Sequence, residues 1–435
     1  MRLGTGLAHP NGAALSAYSK PAEFNWDYTS EFSIKRRGRK YVTDFDASIY
    51  ASPAGSTYYV DPVSGSDSND GLGMGTAFAT IEKALTATGA SVIMLKSGFY
   101  TWQDAGWLNG QPTIARDIAL KVYGGARAVI HAGNAFYSWS LSSGQTNTYQ
   151  TGYNAVGSVI DLTNTDEYGY PVPLTKRTSI AEVESNPGSY YYPTSAPFNL
   201  YVHTHDSRAA DSNIIGFQIK DNFDIRAAHN VYAENIDFWG GRYPMVFQNV
   251  DGDGAHLVFK SCSFCYGSTF EGVRLRDITR GTFLRCTSAY NIGDGFAYRQ
   301  NVFTTQTDIL EVDCRAYNNI DLAGTANNIN GSSAHDGVRV IRLGGMYRNN
   351  AGGQITDTHA GTQTLNLGCS AGESIAATQS GADDTGYRVT SGAALWMENA
   401  KATGSYYDRV NSSSTITSTR SFTGTGPAGD SGTIS

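Results

Sequence analysis

With 435 residues, of which 40% are hydrophobic, the chain can bury a sizeable core, but its length alone leaves the number of domains open. Charged residues make up only 16%, while glycine reaches 49 and tyrosine 27, a balance that favours strands and turns over long amphipathic helices. The net charge of -7 excludes an overall attraction to nucleic acid or to an anionic membrane, so we expect neither as a partner.

The N-terminal segment contains neither a secretory nor a membrane-spanning pattern. Within residues 1–19, Gly, His, Pro and Asn interrupt the apolar residues before a secretory core can form, so we expect no recognisable signal peptide. No stretch approaches the roughly 18 apolar residues of a spanning helix. The five cysteines have no metal-binding spacing and are odd in number, so we expect free thiols.

Residues 1–55 carry no repeat and are predicted to form an N-terminal extension. They contain a basic run between the strand-like segments EFSI and YVTDF, which is typical of a solvated hairpin turn. A nucleic-acid patch is the alternative, but the chain around the run is not basic. The run consists of Lys35, Arg36, Arg37, Arg39 and Lys40.

The next segment predicts a strand, a Gly/Ser/Asp loop and a short amphipathic helix from about Ala77 to Thr88. The loop has acidic residues that resemble calcium ligands. Counted from Asp67, however, glycine falls at the fifth place instead of the sixth, and Phe78 stands where the calcium template requires glutamate. We therefore interpret these residues as part of a turn; they are Asp61, Asp67, Asn69 and Asp70.

The order YYVDPVSGSDSNDG, TAFATIEKAL and VIMLKSGFY is similar to the start of many pectate-lyase-like parallel β-helix proteins, which include bacterial secreted lyases and phage tailspikes. The resemblance implies that the helix caps the open end of a stack of coils and shields its strand edges. We expect the β-helix over residues 56–410, with a lateral excursion over about 134–215, and a Ser/Thr/Gly-rich tail over 411–435.

From residue 230 onward the sequence can be laid out in repeats. The aligned positions are Ile236, Cys262, Cys286, Cys314, Gly344 and Cys369, at spacings of 26, 24, 28, 30 and 25. Small or thiol-bearing residues are expected where side chains of successive coils stack in a narrow core. Further columns are formed by Tyr290, Tyr317 and Tyr347, followed by Asn291, Asn318 and Asn349. Asn tolerates left-handed backbone at turns and can bond its counterpart on the next coil.

The sequence therefore predicts an all-β fold, a right-handed parallel β-helix with a short N-terminal capping helix. Neighbouring strands of a sheet lie about 4.8 Å apart, so about eleven to thirteen coils give a stack roughly 50 to 60 Å long. Each column of the alignment becomes a vertical ladder. Such a surface suits a linear polymer.

The clearest polar group lies at the start of the second strand of each repeat. Glu271, Asp294 and Asp321 align at spacings of 23 and 27 and are predicted to rise in one ladder. Arg276 and Arg299 each follow their acid by five residues. Strand alternation places Val273, Leu275, Phe296 and Tyr298 inward and leaves Arg274, Arg276 and Arg299 outward.

Two carboxyl groups can cleave a glycoside when one protonates the leaving oxygen and the other acts as nucleophile or base. Clustered carboxylates raise the pKa of one member, and nearby arginines can hold an acidic sugar bidentately. The residues predicted to be catalytic are Glu271, Asp294 and Asp321, and those predicted to bind substrate are Arg274, Arg276, Arg299, Tyr298, His335 and Asp336. Ordinary turn chemistry and surface ion pairing also explain the same residues.

Other polar pairs are secondary candidates. His335 and Asp336, on a long loop, could act as base and acid; the remaining pairs are Asp357 with His359 and Asp251 with Asp253. His203 and His205 lie on one face of a strand, but two histidines give too few ligands, so we expect no metal and no cofactor.

The working hypothesis is a depolymerase that resembles phage tailspikes and hydrolyses a bacterial capsular or extracellular polysaccharide. A polysaccharide lyase is an alternative. Its reaction needs groups that neutralise a uronate carboxylate and take the proton from C5, which could be supplied by Arg276, Arg299, Tyr298 or Arg226. A non-catalytic glycan-binding spike is a further alternative, and a uronate epimerase a more distant one. The resemblance implies a homotrimer and an extracellular or virion-associated location, although the C-terminal end shows no heptads.

Overall fold

The computed structural model of the chain describes residues 15–107, 114–133, 138–153, 155–248, 250–303, 305–320, 328–373, 385–403, 407–420, 422–424, 428–430 and 433–434. In each regular coil the chain passes through three parallel sheets, here called sheets A, B and C, in that order. The chain is therefore a parallel β-helix, as predicted. Crossovers between parallel strands of one sheet are right-handed in nearly all proteins, which agrees with the predicted hand.

The strands of the three sheets follow one another in ladder order. Sheet A contains Ser56–Val60, Ala90–Tyr100, Ile118–His131, Val231–Glu234, Gly252–Lys260, Ile278–Leu284, Asp308–Val312, Arg339–Leu343, Gln363–Leu367, Ala394–Glu398, Thr415–Arg420 and Thr433–Ile434. Sheet B shares the ends of the second and third of these strands and continues with Ile236–Trp239, Ser263–Cys265, Thr287–Ala289, Arg315–Tyr317, Met346–Arg348, Ser370–Gly372 and Lys401–Thr403. Sheet C contains Phe223–Ile225, Met245–Phe247, Val273–Arg276, Phe296–Arg299, Ser332–His335, Ile355–Thr358, Thr385–Thr390, Tyr407–Ser412 and Ala428–Asp430.

The twelve described strands of sheet A confirm the predicted number of coils. At about 4.8 Å per step they form a ladder roughly 50 Å long. Strands continue past residue 410, where the sequence predicts a tail, because Thr415–Arg420 pairs in parallel with Ala394–Glu398. Threonine and serine are compatible with strands whose outer face meets water.

The cysteine column stacks as predicted. Cys262, Cys286 and Cys314 occupy equivalent places in successive coils, since Ser263 pairs with Thr287 and Thr287 with Arg315. All five cysteines are free and buried. The thiols of the column donate to carbonyl groups of the preceding coil at 3.2 to 3.4 Å; their acceptors are Ala233, Phe259, Phe283 and Arg342.

One residue of this column was assigned wrongly. Because Arg315 pairs with Met346, Gly345 lies above Cys314, and Gly344 precedes it. Gly344 has a φ of +67° and forms the corner between sheets A and B. The same left-handed corner recurs in the other coils, at Asn235, Ser261, Arg285, Asp313, Gly368 and Asn399. Glycine and asparagine tolerate this conformation best, which is why they recur there.

The predicted tyrosine and asparagine columns were also wrong in register. Tyr317 pairs with Ala289 and Tyr347 with Ala316, so the three tyrosines do not lie in one column of the ladder. The asparagine ladder that forms is buried and consists of Asn291, Asn319 and Asn350. Each side-chain amide donates to the amide oxygen of the next coil, at 2.8 Å in both steps. Asn318 and Asn349 instead take left-handed backbone beside this ladder.

A buried charged cluster interrupts the apolar interior. The Arg342 guanidinium donates to Asp357 at 3.0 and 3.2 Å and to the Ser332 hydroxyl at 3.0 Å. Glu311 lies 3.5 Å from Arg342 and accepts hydrogen bonds from Ser332 at 2.7 Å and from Tyr347 at 2.6 Å. The arginine and both carboxylates are fully buried, so the cost of burying each charge is compensated by the opposite charges beside it.

The N-terminal extension, from residue 15 onward, covers the outer face of sheet A. It contains the strands Ser16–Ala17, Ile34–Arg37 and Lys40–Thr43 and the 3-10 helix Ala47–Tyr50. The predicted hairpin is present, since the last two strands pair in antiparallel fashion around the basic turn. Phe24, Trp26 and Phe32 belong to one buried cluster with Leu310 and Leu343 of sheet A.

A lateral block covers part of sheet B. It contains the strands Ser140–Leu141, Tyr149–Gly152, Val156–Thr165, Pro171–Pro173, Thr175–Lys176, Ser189–Tyr191, Asn199–His203 and Ile214–Gln218 and the helix Ile180–Ser185. Its strands pair almost entirely in antiparallel fashion, unlike those of the coils. Ile160, Ile215 and Phe217 of this block share a buried cluster with Trp239 of sheet B and with Tyr266, which follows the strand Ser263–Cys265.

The capping helix is shorter than predicted and runs over Ile81–Thr86, after the 3-10 turn Met74–Thr76. Thr80 caps it by accepting a hydrogen bond from the Lys83 N–H at 3.2 Å. Asp67 accepts the backbone N–H groups of Ala79 and Thr80, which confirms its role in a turn. Among the described residues, no helix is long and apolar enough to cross a membrane.

We predict that Arg342→Ala lowers the free energy of unfolding by about 3–5 kcal/mol, because Glu311 and Asp357 stay buried without their cation. Urea unfolding followed by tryptophan fluorescence measures the loss. Arg37→Ala is the matched control: Arg37 is exposed, so its removal should change stability by about 0.5 kcal/mol or less. Equal urea midpoints for the two variants would contradict the role assigned to Arg342.

Candidate active site

Sheet C presents a polar outer face. In the strand Val273–Arg276, Val273 and Leu275 are fully buried, while Arg274 and Arg276 are partly exposed. Their outward neighbours on the following coils include Arg299, Ser333 and His335. The apolar clusters outside the coils lie on sheets A and B or within the lateral block, so in the described part of the chain sheet C is the face without an apolar cover.

The predicted register of Glu271 and Asp294 is confirmed. Val273 pairs with Phe296, which places the two acids at equivalent positions on adjacent coils, one ladder step of about 4.8 Å apart. The Gly272 N–H donates to the Asp294 carbonyl at 2.9 Å and fixes this step. Arg276 and Arg299 are paired in the same register, as predicted.

Asp294 is a half-buried carboxyl group with three donors. Its Oδ1 accepts the Asn330 backbone N–H at 2.6 Å and the Asn330 amide at 3.0 Å, and its Oδ2 accepts the Ser333 hydroxyl at 2.5 Å. Burial raises the pKa of Asp294 to about 7, and the Glu271 charge adds to this, while the hydrogen bonds oppose it. Near neutral pH the carboxyl group can therefore hold or release a proton.

Glu271 is held by Arg274, whose guanidinium lies 2.6 Å from its Oε2 and 2.7 Å from its Oε1. The same guanidinium lies over the rings of Tyr243 and Phe270, at 4.5 and 5.0 Å from their centroids. These two rings stack at 4.7 Å. The ion pair and the aromatic contacts fix the orientation of the Glu271 carboxylate.

Asp321 does not take the place predicted for it. The strand that pairs with Phe296–Arg299 is Ser332–His335, so Asn330 lies above Asp294 in the ladder. Asp321 itself is outside the described residues. The interval from Asp294 to Asn330 is 36 residues, which is longer than the other repeats, and a register that assumes a regular period therefore fails here.

Sequence reasoning missed the partners that set the environment of Asp294 and Glu271. Asn330 and Ser333 follow the long interval, and the Asn-Gly pair just before Ser332–His335 is the sequence signal that could have marked the start of the strand. Tyr243 and Phe270 lie in loops on adjacent coils. Only the correct register brings these two rings together.

Tyr298 cannot bind substrate. Its side chain is fully buried within the coils, and burial raises its pKa well above the ordinary value. The alternation that predicts an inward Tyr298 is confirmed, so its assignment to the substrate surface was wrong. Leu275 lies at the equivalent position on the preceding coil.

Arg276 is a half-buried cation whose guanidinium has no hydrogen-bond or ion-pair partner among the described residues. Burial and the neighbouring Arg274 and Arg299 lower its pKa from the ordinary value. On the next coil, Arg299 binds Asp336 at 2.6 Å, and Asp336 also lies 2.6 Å from His359. The ladder therefore offers a free guanidinium beside a paired one.

The secondary candidates separate into different environments. His335 lies in the strand Ser332–His335 of sheet C, above Arg299, so the loop predicted for it was wrong. Burial lowers its pKa to about 4, so it is neutral near pH 7. Asp357 and His359 are not a pair, because Asp357 is inside with Arg342 and His359 is outside with Asp336. Asp251 binds the Thr305 hydroxyl at 2.5 Å.

The two histidines of the lateral block do not form a metal site. His203 is buried and uses both ring nitrogens, one on the Val183 carbonyl at 3.0 Å and one on the Ser207 hydroxyl at 2.8 Å. His205 lies 3.9 Å from Asp161. Within the ranges that the structure describes, no group of three or more His, Cys, Asp or Glu residues could hold a metal ion.

Comparison with known proteins supports the fold. No family model matches the sequence, and no curated protein matches it. The solved complex of XylC with xylose aligns with a TM-score of 0.53 and 12% identity, over 84% of this chain and 69% of that chain. The chain shares the XylC fold. Pectate lyase Pel9A has a TM-score of 0.41 at 11% identity, over 88% of this chain and 79% of its own. A glycoside hydrolase aligns with a TM-score of 0.43 and 10% identity, over 87% of this chain and 95% of that chain.

We predict that the stability of the chain depends on the protonation of Asp294. Its pKa is about 7 in the folded chain and 3.8 by its ordinary value, so the folded state binds the extra proton between these pH values and stability falls as pH rises through this window. Asp294→Asn removes this contribution. In thermal unfolding, the Tm of the variant relative to that of the wild type should rise between pH 4 and pH 8. The exposed control Asp27→Asn should show no such rise. A pH-independent difference would contradict the raised pKa.

Proposed function

We propose that the protein is a polysaccharide depolymerase that hydrolyses glycosidic bonds on sheet C, with Asp294 as the general acid and Glu271 as the nucleophile. The observation that carries the proposal is a half-buried carboxyl group with a pKa of about 7, one ladder step from a second carboxyl group that an arginine orients. Glycoside cleavage needs one protonated and one ionised carboxyl group. The shared fold of XylC, solved with xylose, makes a sugar the first ligand class to test.

The reaction follows from these two roles. The Asp294 carboxyl group donates its proton to the glycosidic oxygen, which leaves with the departing sugar as a hydroxyl group. The Glu271 carboxylate bonds to the anomeric carbon as that bond breaks. Asp294, now ionised, then takes a proton from water, whose oxygen displaces Glu271. Carboxyl groups on adjacent coils fit retention, for which about 5–5.5 Å is required, better than inversion at about 6.5–9.5 Å.

The surrounding ladder suits an acidic polymer. Arg276 offers an unused guanidinium, and Arg299 lies one step further along the stack. A planar guanidinium binds a carboxylate or another oxyanion through two parallel hydrogen bonds. We infer that Arg276 holds an acidic group of the substrate, with Arg299, His335 and Asp336 beside the next sugar.

A lyase is the second candidate, and one observation favours it. The lowered pKa of Arg276 would help a guanidine take the proton from C5 of a uronate, while Arg299 neutralises the carboxylate. Elimination then breaks the C4–O bond, the departing oxygen takes a proton from water, and an unsaturated product remains. That product is lighter by one water than the corresponding product of hydrolysis and absorbs ultraviolet light.

We predict that Glu271→Gln and Asp294→Asn each reduce depolymerisation about 100-fold or more, because each removes a group that acts in the transition state. The assay incubates the protein with a panel of capsular and extracellular bacterial polysaccharides and measures reducing ends and product masses. Glu23→Gln and Asp27→Asn are matched controls at exposed positions of the N-terminal extension and should retain full activity. Full turnover in both site variants would refute the assignment.

We predict that Arg276→Ala raises KM for an acidic polysaccharide about 10-fold or more with little change in kcat, because it removes a charge-assisted hydrogen bond worth about 1.5–3 kcal/mol. Steady-state kinetics on the polysaccharide identified by the panel measure this split, with Arg37→Ala as control. A collapse of kcat together with unsaturated products in the wild type would instead establish the lyase.

The biological setting is part of the proposal. We propose a bacterial capsular or extracellular polysaccharide as the substrate, and a place outside the cell or on a virion, where such a polymer is found. A homotrimer, as in tailspikes, is proposed as the assembly. Size-exclusion chromatography with light scattering decides this point, since a monomer would remove the trimer.

A further inference from the structure

A cavity of about 490 Å³ lies on sheet B, away from the face that carries Glu271 and Asp294. Sheet B forms its floor and the turn of the lateral block that precedes Pro171–Pro173 forms its wall. The lining side chains that matter are Phe99, Arg127, Tyr168, Tyr170, Asp237 and Trp239. Its volume falls within the range of about 300–1,000 Å³ that is usual for small-ligand sites.

The polar part of the cavity is an ion pair with unused donors. The Arg127 guanidinium binds Asp237 bidentately, at 2.6 Å through Nε and 2.5 Å through Nη2. Asp237 also accepts the Ser263 hydroxyl. An arginine has five N–H donors, and two of them are used here, so three remain without a partner among the described residues.

Neighbouring side chains fix the aromatic rings that line the cavity. The Trp239 indole N–H donates to the Ser263 hydroxyl at 3.0 Å, and Phe99 packs against Trp239 at 6.1 Å between ring centroids. The wall is fixed by Arg348, which donates to the Tyr168 hydroxyl at 2.7 Å. Phe99 is 46% exposed, so its ring is available to a ligand.

We propose that this cavity is a second carbohydrate-binding site, which takes a neutral sugar of a glycan chain. A sugar ring has apolar C–H faces, which pack on aromatic rings, and an edge of hydroxyl groups, which accept from a guanidinium. The lining of the cavity offers both. Because Arg127 and Asp237 neutralise each other, the cavity favours a neutral sugar over a uronate, in contrast to the arginine-rich face of sheet C.

The site does not depend on cleavage. Trp239 lies on sheet B one coil before the strand that leads to Glu271, so the two sites share neither a face nor a side chain. A binding experiment therefore tests the cavity even if the proposed hydrolysis fails. Conversely, loss of binding here would leave the assignment of Glu271 and Asp294 untouched.

The test uses isothermal titration calorimetry of the full chain with xylohexaose, cellohexaose and mannohexaose as neutral probes and trigalacturonate as the acidic probe. The background carries Asp294→Asn, which prevents turnover under the proposed mechanism. We expect at least one neutral hexasaccharide to bind, Phe99→Ala to weaken it at least 10-fold, and Phe99→Trp to preserve it. Phe198→Ala is the matched control, because Phe198 is 42% exposed in the lateral block, and it should change affinity less than 2-fold.

Three outcomes would overturn the proposal. They are the absence of binding by all three neutral probes, equal affinity in the Phe99→Ala variant and its parent, and a Phe99-dependent affinity that is higher for trigalacturonate than for the neutral probes. Circular dichroism of each variant confirms that the fold is retained, so a loss of binding reports on the cavity. Phe99→Trp provides the second check, since a folded chain with a larger ring must still bind.

Discussion

The in-register hydrogen bonding of successive coils is the constraint on which the rest of the structure depends. Each coil returns to the same three sheets, and parallel pairing fixes residue against residue at about 4.8 Å per step. Residues far apart in sequence thereby become vertical neighbours. Glu271 and Asp294 are neighbours only because Val273 pairs with Phe296. The buried asparagine ladder stabilises the turns between sheets B and C through hydrogen bonds from coil to coil.

The segments outside the coils decide which face remains open. Aromatic residues of the N-terminal segment cover sheet A, and the lateral block covers part of sheet B. Burying these apolar faces stabilises the stack, in proportion to the apolar area removed from water. Sheet C carries polar and charged side chains outward, so its described strands need no such cover. The candidate site therefore lies where the fold leaves a long polar surface.

Much of the fold could be predicted from the sequence because the repeats impose a period. Cys262, Cys286 and Cys314 mark one buried column of the core, and strand alternation correctly directs Arg274 and Arg276 outward. The prediction was wrong where the period changes. The 36-residue interval before Asn330 displaced Asp321 from the ladder, and a one-residue error exchanged Gly344 with Gly345.

Other features lie beyond what periodicity can show. Arg342 is buried in a strand whose pattern predicts an apolar interior. Its compensating carboxylates come from Glu311 on the preceding coil and from Asp357 on sheet C of its own coil, which a linear pattern does not bring together. The raised pKa of Asp294 depends on burial and on Asn330 and Ser333, which a linear pattern does not bring together. Such environments arise from three-dimensional packing.

The central claim is that a glycan lies across sheet C over the pair Glu271 and Asp294. The most direct measurement is a crystal structure of the Asp294→Asn variant soaked with oligosaccharides of the polysaccharide that the wild type degrades. The account predicts a sugar whose glycosidic oxygen lies within hydrogen-bond distance of residue 294, with the anomeric carbon facing Glu271. A glycan bound productively on another face, with sheet C empty, would contradict it.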